Sequence, residues 1–179
     1  MPNGPDELGY HPAVSNLEPL PGHVTTGAEL ASLGFTPLTL QIRGTIALFA
    51  GTGCEWDTLG TVPNGPGHYL FTVENDSAIH VTYAGLTEEL WMVTKGRLPD
   101  GRSRPAQRYG RPKYAGVTRQ RINLLVAEQL GLGRRVRHWI RPLSQPTQQT
   151  PAATKVLLKV GEEKLILRWR LREVGWNRG

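Results

Sequence analysis

Cysteine is nearly absent from this chain. Cys54 stands alone, which excludes an internal disulfide and any metal site built from several thiolates. That usage fits a reducing compartment. Long apolar runs are missing as well, and the longest, within Thr45–Ala50, is far too short to span a bilayer. The opening MPNGPDELGY is polar and acidic, unlike a secretion signal. Together these absences predict a soluble, cytoplasmic protein with no membrane partner. Positive charge is also scarce over the first half: residues 1–94 carry Arg43 alone against ten acidic side chains.

The positive charge lies elsewhere. Residues 95–141 carry thirteen Lys and Arg against Asp100 and Glu128, and residues 142–179 carry seven against three acids. So dense a basic block repels itself unless something neutralises it, so a polyanionic partner is expected. Its richest part reads KGRLPDGRSRPAQRYGRPKYAG, with Tyr109 and Tyr114 set among Arg104, Arg108, Arg111 and Lys113. Basic residues interleaved with aromatics suit phosphate neutralisation combined with stacking on nucleic acid, which makes Arg108, Arg111 and Lys113 candidate DNA contacts. Pro99, Pro105 and Pro112 prevent one continuous helix there.

With 179 residues, 21 of them Gly and 14 Pro, the chain has room for one turn-rich domain with an appendage. The expected division is an arm and short extension over 1–60, then the main domain over 61–179. The first 25 residues have no sustained period. Thr26, with Glu29 three residues on, predicts a capped helix ended by Gly34. Thr36–Ala50 alternates like a strand broken near Gly44. The centre is GHYLFTVENDSAIHVTYAG, residues 67–85: two strands around an Asn75-Asp76-Ser77 turn. A helix is predicted over 87–94 and another over 118–130, where 122, 125, 126 and 130 form an apolar stripe. A third strand follows over 135–140, a loop over 143–154, and a last helix over 155–172.

Four short motifs recur in order: Gly67-His68-Tyr69, Tyr83-Ala84-Gly85, Glu162-Glu163-Lys164-Leu165-Ile166 and Trp176-Asn177. In this order the chain resembles the GIY-YIG nuclease family over about residues 60–179. The resemblance implies an α+β fold, with a small antiparallel, three-stranded sheet flanked by helices. It implies a divalent-metal-dependent DNA endonuclease, using Mg2+ or Mn2+, in which Tyr69 is the base for the attacking water and Tyr83 a positioning group. The family's metal ligand stands four residues before the isoleucine of a Leu-Ile pair, which here is Glu162 rather than Glu163. The family's catalytic arginine follows the second tripeptide, four residues before a histidine or tyrosine. Here Arg104 lies five before Tyr109, so Arg104 is the first choice, Arg108 the second and Arg97 the third. Asn177 is expected to hold the hairpin or a phosphate.

The residue types suit the chemistry. Phosphodiester hydrolysis needs an activated water, neutralised phosphorane charge and a stabilised leaving oxygen. A hard cation on one carboxylate and several waters can supply the last of these, and an arginine fork can hold the phosphate oxygens. The alternative is a non-catalytic nucleic-acid-binding module on the same scaffold. In a third reading, a basic RNA- or protein-binding scaffold, the tyrosines and Glu162 serve only the fold.

Overall fold

The computed structural model describes residues 18–93, 108–111, 116–144 and 150–178. The central hairpin forms as its sequence dictates. Asn75 turns the chain by accepting the backbone N–H groups of Ser77 (2.9 Å) and Ala78 (2.8 Å) through its side-chain oxygen. Strand β4 (Gly67–Glu74) thereby pairs antiparallel with β5 (Ile79–Thr87). A bulge interrupts this ladder: Phe71 faces Tyr83, Thr72 faces Val81, and Thr82 is the extra residue. The bulge changes the face on which β5 side chains emerge. Tyr83 joins Tyr69 and Phe71 in one core cluster, whereas Val81 and Ala84 join Leu70 in the other.

The sheet is larger than the three strands expected from the sequence. It has six, all antiparallel, in the order β1-β5-β4-β6-β2-β3, where β1 is His23–Thr25, β2 Thr36–Leu48, β3 Gly51–Leu59 and β6 Arg135–Pro142. Two strands escape sequence reading for physical reasons. β1 is only three residues long and sits within a patternless segment. In β3, glycines and acids hide the alternation. Gly53 leaves the space that the Asn123 amide fills, and Asp57 is buried because Arg43 pairs with it at 2.7 Å. The predicted break in β2 is a bulge between Ile42 and Gly44. Trp56 of β3 and Tyr69 of β4 share one core, so the sheet continues across residue 60.

Helices cover both faces. α1 (Gly27–Ser32) begins at Thr26, whose hydroxyl accepts the Glu29 N–H at 3.0 Å, the cap its sequence predicts. α2 (Val117–Gly131) lays Ile122 and Val126 on the cluster of Tyr69, Phe71 and Trp56. α3 (Pro151–Arg168) lays Leu165 and Ile166 on the opposite cluster with Leu30, Phe35, Leu70 and Trp139. It starts earlier than expected, because Thr150 caps it by accepting the Ala153 N–H at 3.2 Å and Pro151 suits a first turn. It stops at Arg168, and Arg170 has a left-handed backbone (φ 51°). The predicted helix over 87–94 does not form: β5 runs through Thr87, which pairs with Gly67, leaving only a 3₁₀ turn at Leu90–Val93. Among the described residues no helix is long and apolar enough to cross a membrane.

Two asparagine amides satisfy strand backbone that has no strand beside it, along the outer edge of β3 and in β5 beyond the end of β1. Asn123 of α2 accepts from Cys54 N–H (3.0 Å) and donates to the carbonyls of Cys54 and Tyr109 (2.7 Å each). Asn177 accepts from Ala84 N–H (2.9 Å) and donates to its carbonyl (2.8 Å). Asn123 is fully buried, so Asn123→Ala strands three backbone groups. We expect a loss of about 2–3 kcal/mol, measured as a lower denaturant midpoint with an unchanged slope. A loss below ~0.5 kcal/mol would show that water replaces the amide freely.

Candidate active site

Across the α2 face of the sheet the register aligns Tyr83, Phe71, His138 and Leu38 in one row, and Gly85, Tyr69 and Ile140 in the next. Gly85 is where the tyrosine needs space: a Cβ there would collide with the Tyr69 ring. Tyr109, on the turn at 108–110, inserts between the other two tyrosines. Its hydroxyl lies 2.6 Å from that of Tyr69 and 3.4 Å from that of Tyr83. The three rings lie 5.8 to 6.3 Å apart. Asn123 holds Tyr109 in place through its carbonyl.

Charged groups surround this trio. The Glu162 carboxylate of α3 acts on the hydroxyls of both Tyr69 and Tyr83. Its own pKa is raised, first by burial and then by the neighbouring charge of Glu163. Glu163 is occupied: Arg172 donates to both its oxygens, at 2.6 and 2.7 Å. Three arginines act on the phenols: Arg108 on Tyr69, Arg119 on Tyr109, and Arg121 on Tyr83 and Tyr109. Arg121 is half-buried and donates to the Trp176 carbonyl at 2.7 Å.

No family model matches the chain, and the comparisons with curated proteins and with solved structures return no match either. What the site does is a question of its own chemistry.

The structure packs Tyr69 against Tyr83, with the charges of Glu162 and Arg108 acting on Tyr69 and Asn177 bracing β5 at Ala84. Arg97, Arg104 and Lys113 lie outside the described residues. Arg111 pairs with the buried Asp57 at 3.4 Å, so one candidate DNA contact is engaged within the fold. The sequence reading named Tyr109 only as an aromatic of the basic stretch and as the spacing mark for Arg104, and it missed Arg121. It sought the arginine in the proline-broken stretch, whereas the unbroken helix that packs on the tyrosines starts after Gly116 and carries Arg121 one turn in. That start was the usable signal. The insertion of Tyr109 between the two strand tyrosines left no such signal, because long-range bonds set it: Asn123 donates to the Tyr109 carbonyl and Trp56 N–H to the Gly110 carbonyl.

Burial pushes the pKa of all three phenols well above the ordinary value of 10. That opposes the expected role of Tyr69 as a base and leaves it a hydrogen-bonding one. His138 is neutral, its pKa pulled down to about 3 by complete burial, and it stacks on Phe71 at 4.4 Å with the Tyr69 ring edge-on at 5.4 Å. It fills the core beneath the site. Cys54 is equally inert, its thiol pushed up to about 11 by burial.

The donor set can be tested against a metal ion. Among the described residues no three His, Cys, Asp or Glu side chains cluster as a cage. Glu162 alone is too little for calcium or zinc. It is enough for magnesium, which keeps most of its waters and takes one carboxylate plus phosphate oxygens from a substrate.

Proposed function

We propose that this chain is a divalent-metal-dependent DNA endonuclease of the GIY-YIG type, working in the cytoplasm. The observation that carries the reading is the hydroxyl network that joins Tyr69 and Tyr83, from two separate motifs, through Tyr109, within reach of the charges of Glu162, Arg108 and Arg121. A cation bound at Glu162 supplies charge neutralisation at the leaving oxygen and a more acidic water. Arg121 and Arg108, whose charges act on the phenols, are the groups for the growing phosphorane charge; the guanidinium donors that Trp176 leaves over can take phosphate oxygens. The phenols stay protonated and orient the attacking water by donating and accepting hydrogen bonds. Tyr109 ties Tyr69 to Tyr83, so that the network is rigid before substrate arrives.

The deep burial of Tyr69, 3 % exposed, favours a second reading: a nucleic-acid-binding module that keeps the scaffold without the chemistry. Incubation with supercoiled plasmid DNA and Mg2+ or Mn2+, with and without chelator, separates the two. Nicking that chelator abolishes is expected. Retention of plasmid in a gel without nicking under any divalent metal supports the binding module instead.

A further inference from the structure

A second charged pocket lies on the other face of the sheet, outside the tyrosine site. It opens between α3, the end of β6 and the Leu33-Gly34 turn, and its volume is about 580 Å³. At its centre is Arg141. Its guanidinium lies 4.8 Å over the Phe35 ring and makes two hydrogen bonds, to the Leu33 carbonyl (3.4 Å) and to His68 Nδ1 (3.2 Å). Since His68 Nε2 lies 2.8 Å from the Leu158 carbonyl, it carries the proton and Nδ1 accepts. Burial lowers the pKa of His68, so this partner is neutral and leaves the arginine's charge unbalanced. Gly161 makes the arrangement possible, because a Cβ there would strike the His68 ring and force α3 outward.

A half-buried cation normally has a carboxylate beside it, since burying an unpaired charge is costly. Among the described residues no carboxylate pairs with Arg141, and no Asp or Glu lines the pocket. Lys164 adds a second cation at the rim. A guanidinium has five N–H donors in a planar fork, and the two hydrogen bonds of Arg141, a pocket-lining residue, leave three of them over. That fork matches the geometry of a tetrahedral oxyanion.

We propose that this pocket is a phosphoryl-binding site, with Arg141 as the fork and Lys164 as the second cation. The proposal stands independently of the nuclease reading. The phosphoryl group is either a small free anion or a backbone phosphate of nucleic acid that wraps past the end of β6.

Two measurements test it. In thermal unfolding at constant ionic strength, inorganic phosphate at about ten times its Kd is expected to raise Tm by about 3–6 °C over a chloride control. Arg141→Met, which keeps the stem over Phe35, should abolish that rise, and the exposed Lys164→Gln should weaken phosphate binding while folding normally. In the second arm, binding of a 20-base-pair duplex is followed by anisotropy against salt in the presence of chelator. If the occupant is a backbone phosphate, Lys164→Gln lowers the slope of log K against log salt by about 0.9. A phosphate shift lost in Arg141→Met supports a free anion; an altered slope without a phosphate shift supports the backbone. Should phosphate do no more than chloride and the slope stay unchanged in Lys164→Gln, the proposal is overturned, whatever the plasmid assay shows.

Discussion

Glu162→Gln is expected to abolish metal-dependent nicking of plasmid DNA while leaving the fold at least as stable as wild type. The two halves have separate causes. The amide keeps the shape of the side chain but cannot hold a hard divalent cation as a carboxylate does. DNA binding measured in chelator should be unchanged, because a carboxylate makes no attractive contact with a phosphate and none is removed. On stability the sign follows from linkage. Burial and Glu163 raise the folded-state pKa of Glu162 above its ordinary value of 4.5. Its contribution is then favourable below that value and is lost as pH rises through the folded pKa. At neutral pH the ionised group weakens the fold, and glutamine removes that cost. Thermal melts from pH 4.5 to 7 should show a flatter decline in the variant. Glu163→Gln is the control: it breaks an exposed pair with Arg172, should cost little stability, and should cut DNA normally. An active Glu162→Gln paired with an inactive Glu163→Gln would move the metal ligand by one residue. Two active variants would remove the metal from α3 altogether.

Much of this site was legible because local chemistry fixed it. The Asn75 turn and β-branched flanks set the hairpin, and the hairpin sets Tyr69 opposite Gly85. The glycine in the second tripeptide is explained by the ring that lies over it. What the pattern could not show is the bulge at Thr82. Strict alternation from Val81 puts Tyr83 on the wrong face, and only the extra residue turns its hydroxyl towards Tyr69 and Tyr109. Long-range partners were equally silent. Asn123 reads as an ordinary polar position on a helix, yet its amide completes β3 and fixes Tyr109 some fourteen residues away. Nor could the charge count tell structural arginines from free ones: Arg111 neutralises buried Asp57, whereas Arg121 stands at the phenols. The six-stranded sheet escaped because β3 buries Asp57 and Gly53 for contacts distant in sequence: Arg43 and Arg111 pair with the acid, and the Asn123 amide fills the space over the glycine.

Tyr69→Phe should slow cleavage by about 10²–10⁴-fold, the usual contribution of a group that orients or transfers a proton. Phenylalanine keeps the ring that fills the space over Gly85 and meets His138 edge-on, so packing changes little. What disappears is the 2.6 Å hydrogen bond to Tyr109, and with it the tie between Tyr69 and the Tyr83 hydroxyl. The stability loss should be about 1 kcal/mol, that of one buried hydroxyl bond. Because burial holds the phenol protonated, the wild-type rate should show no limb that follows a tyrosine ionisation near neutrality; its acid limb should follow Glu162. Tyr109→Phe offers the comparison that isolates the network. If the hydroxyls act together, the double variant is no slower than the slower single, since removing either one already frees the water. A Tyr69 that serves only the core predicts the same loss of stability with wild-type cleavage. Under that outcome the catalytic hydroxyl passes to Tyr83, which is bonded into the network and lies within the field of Glu162, and Tyr69 becomes its support.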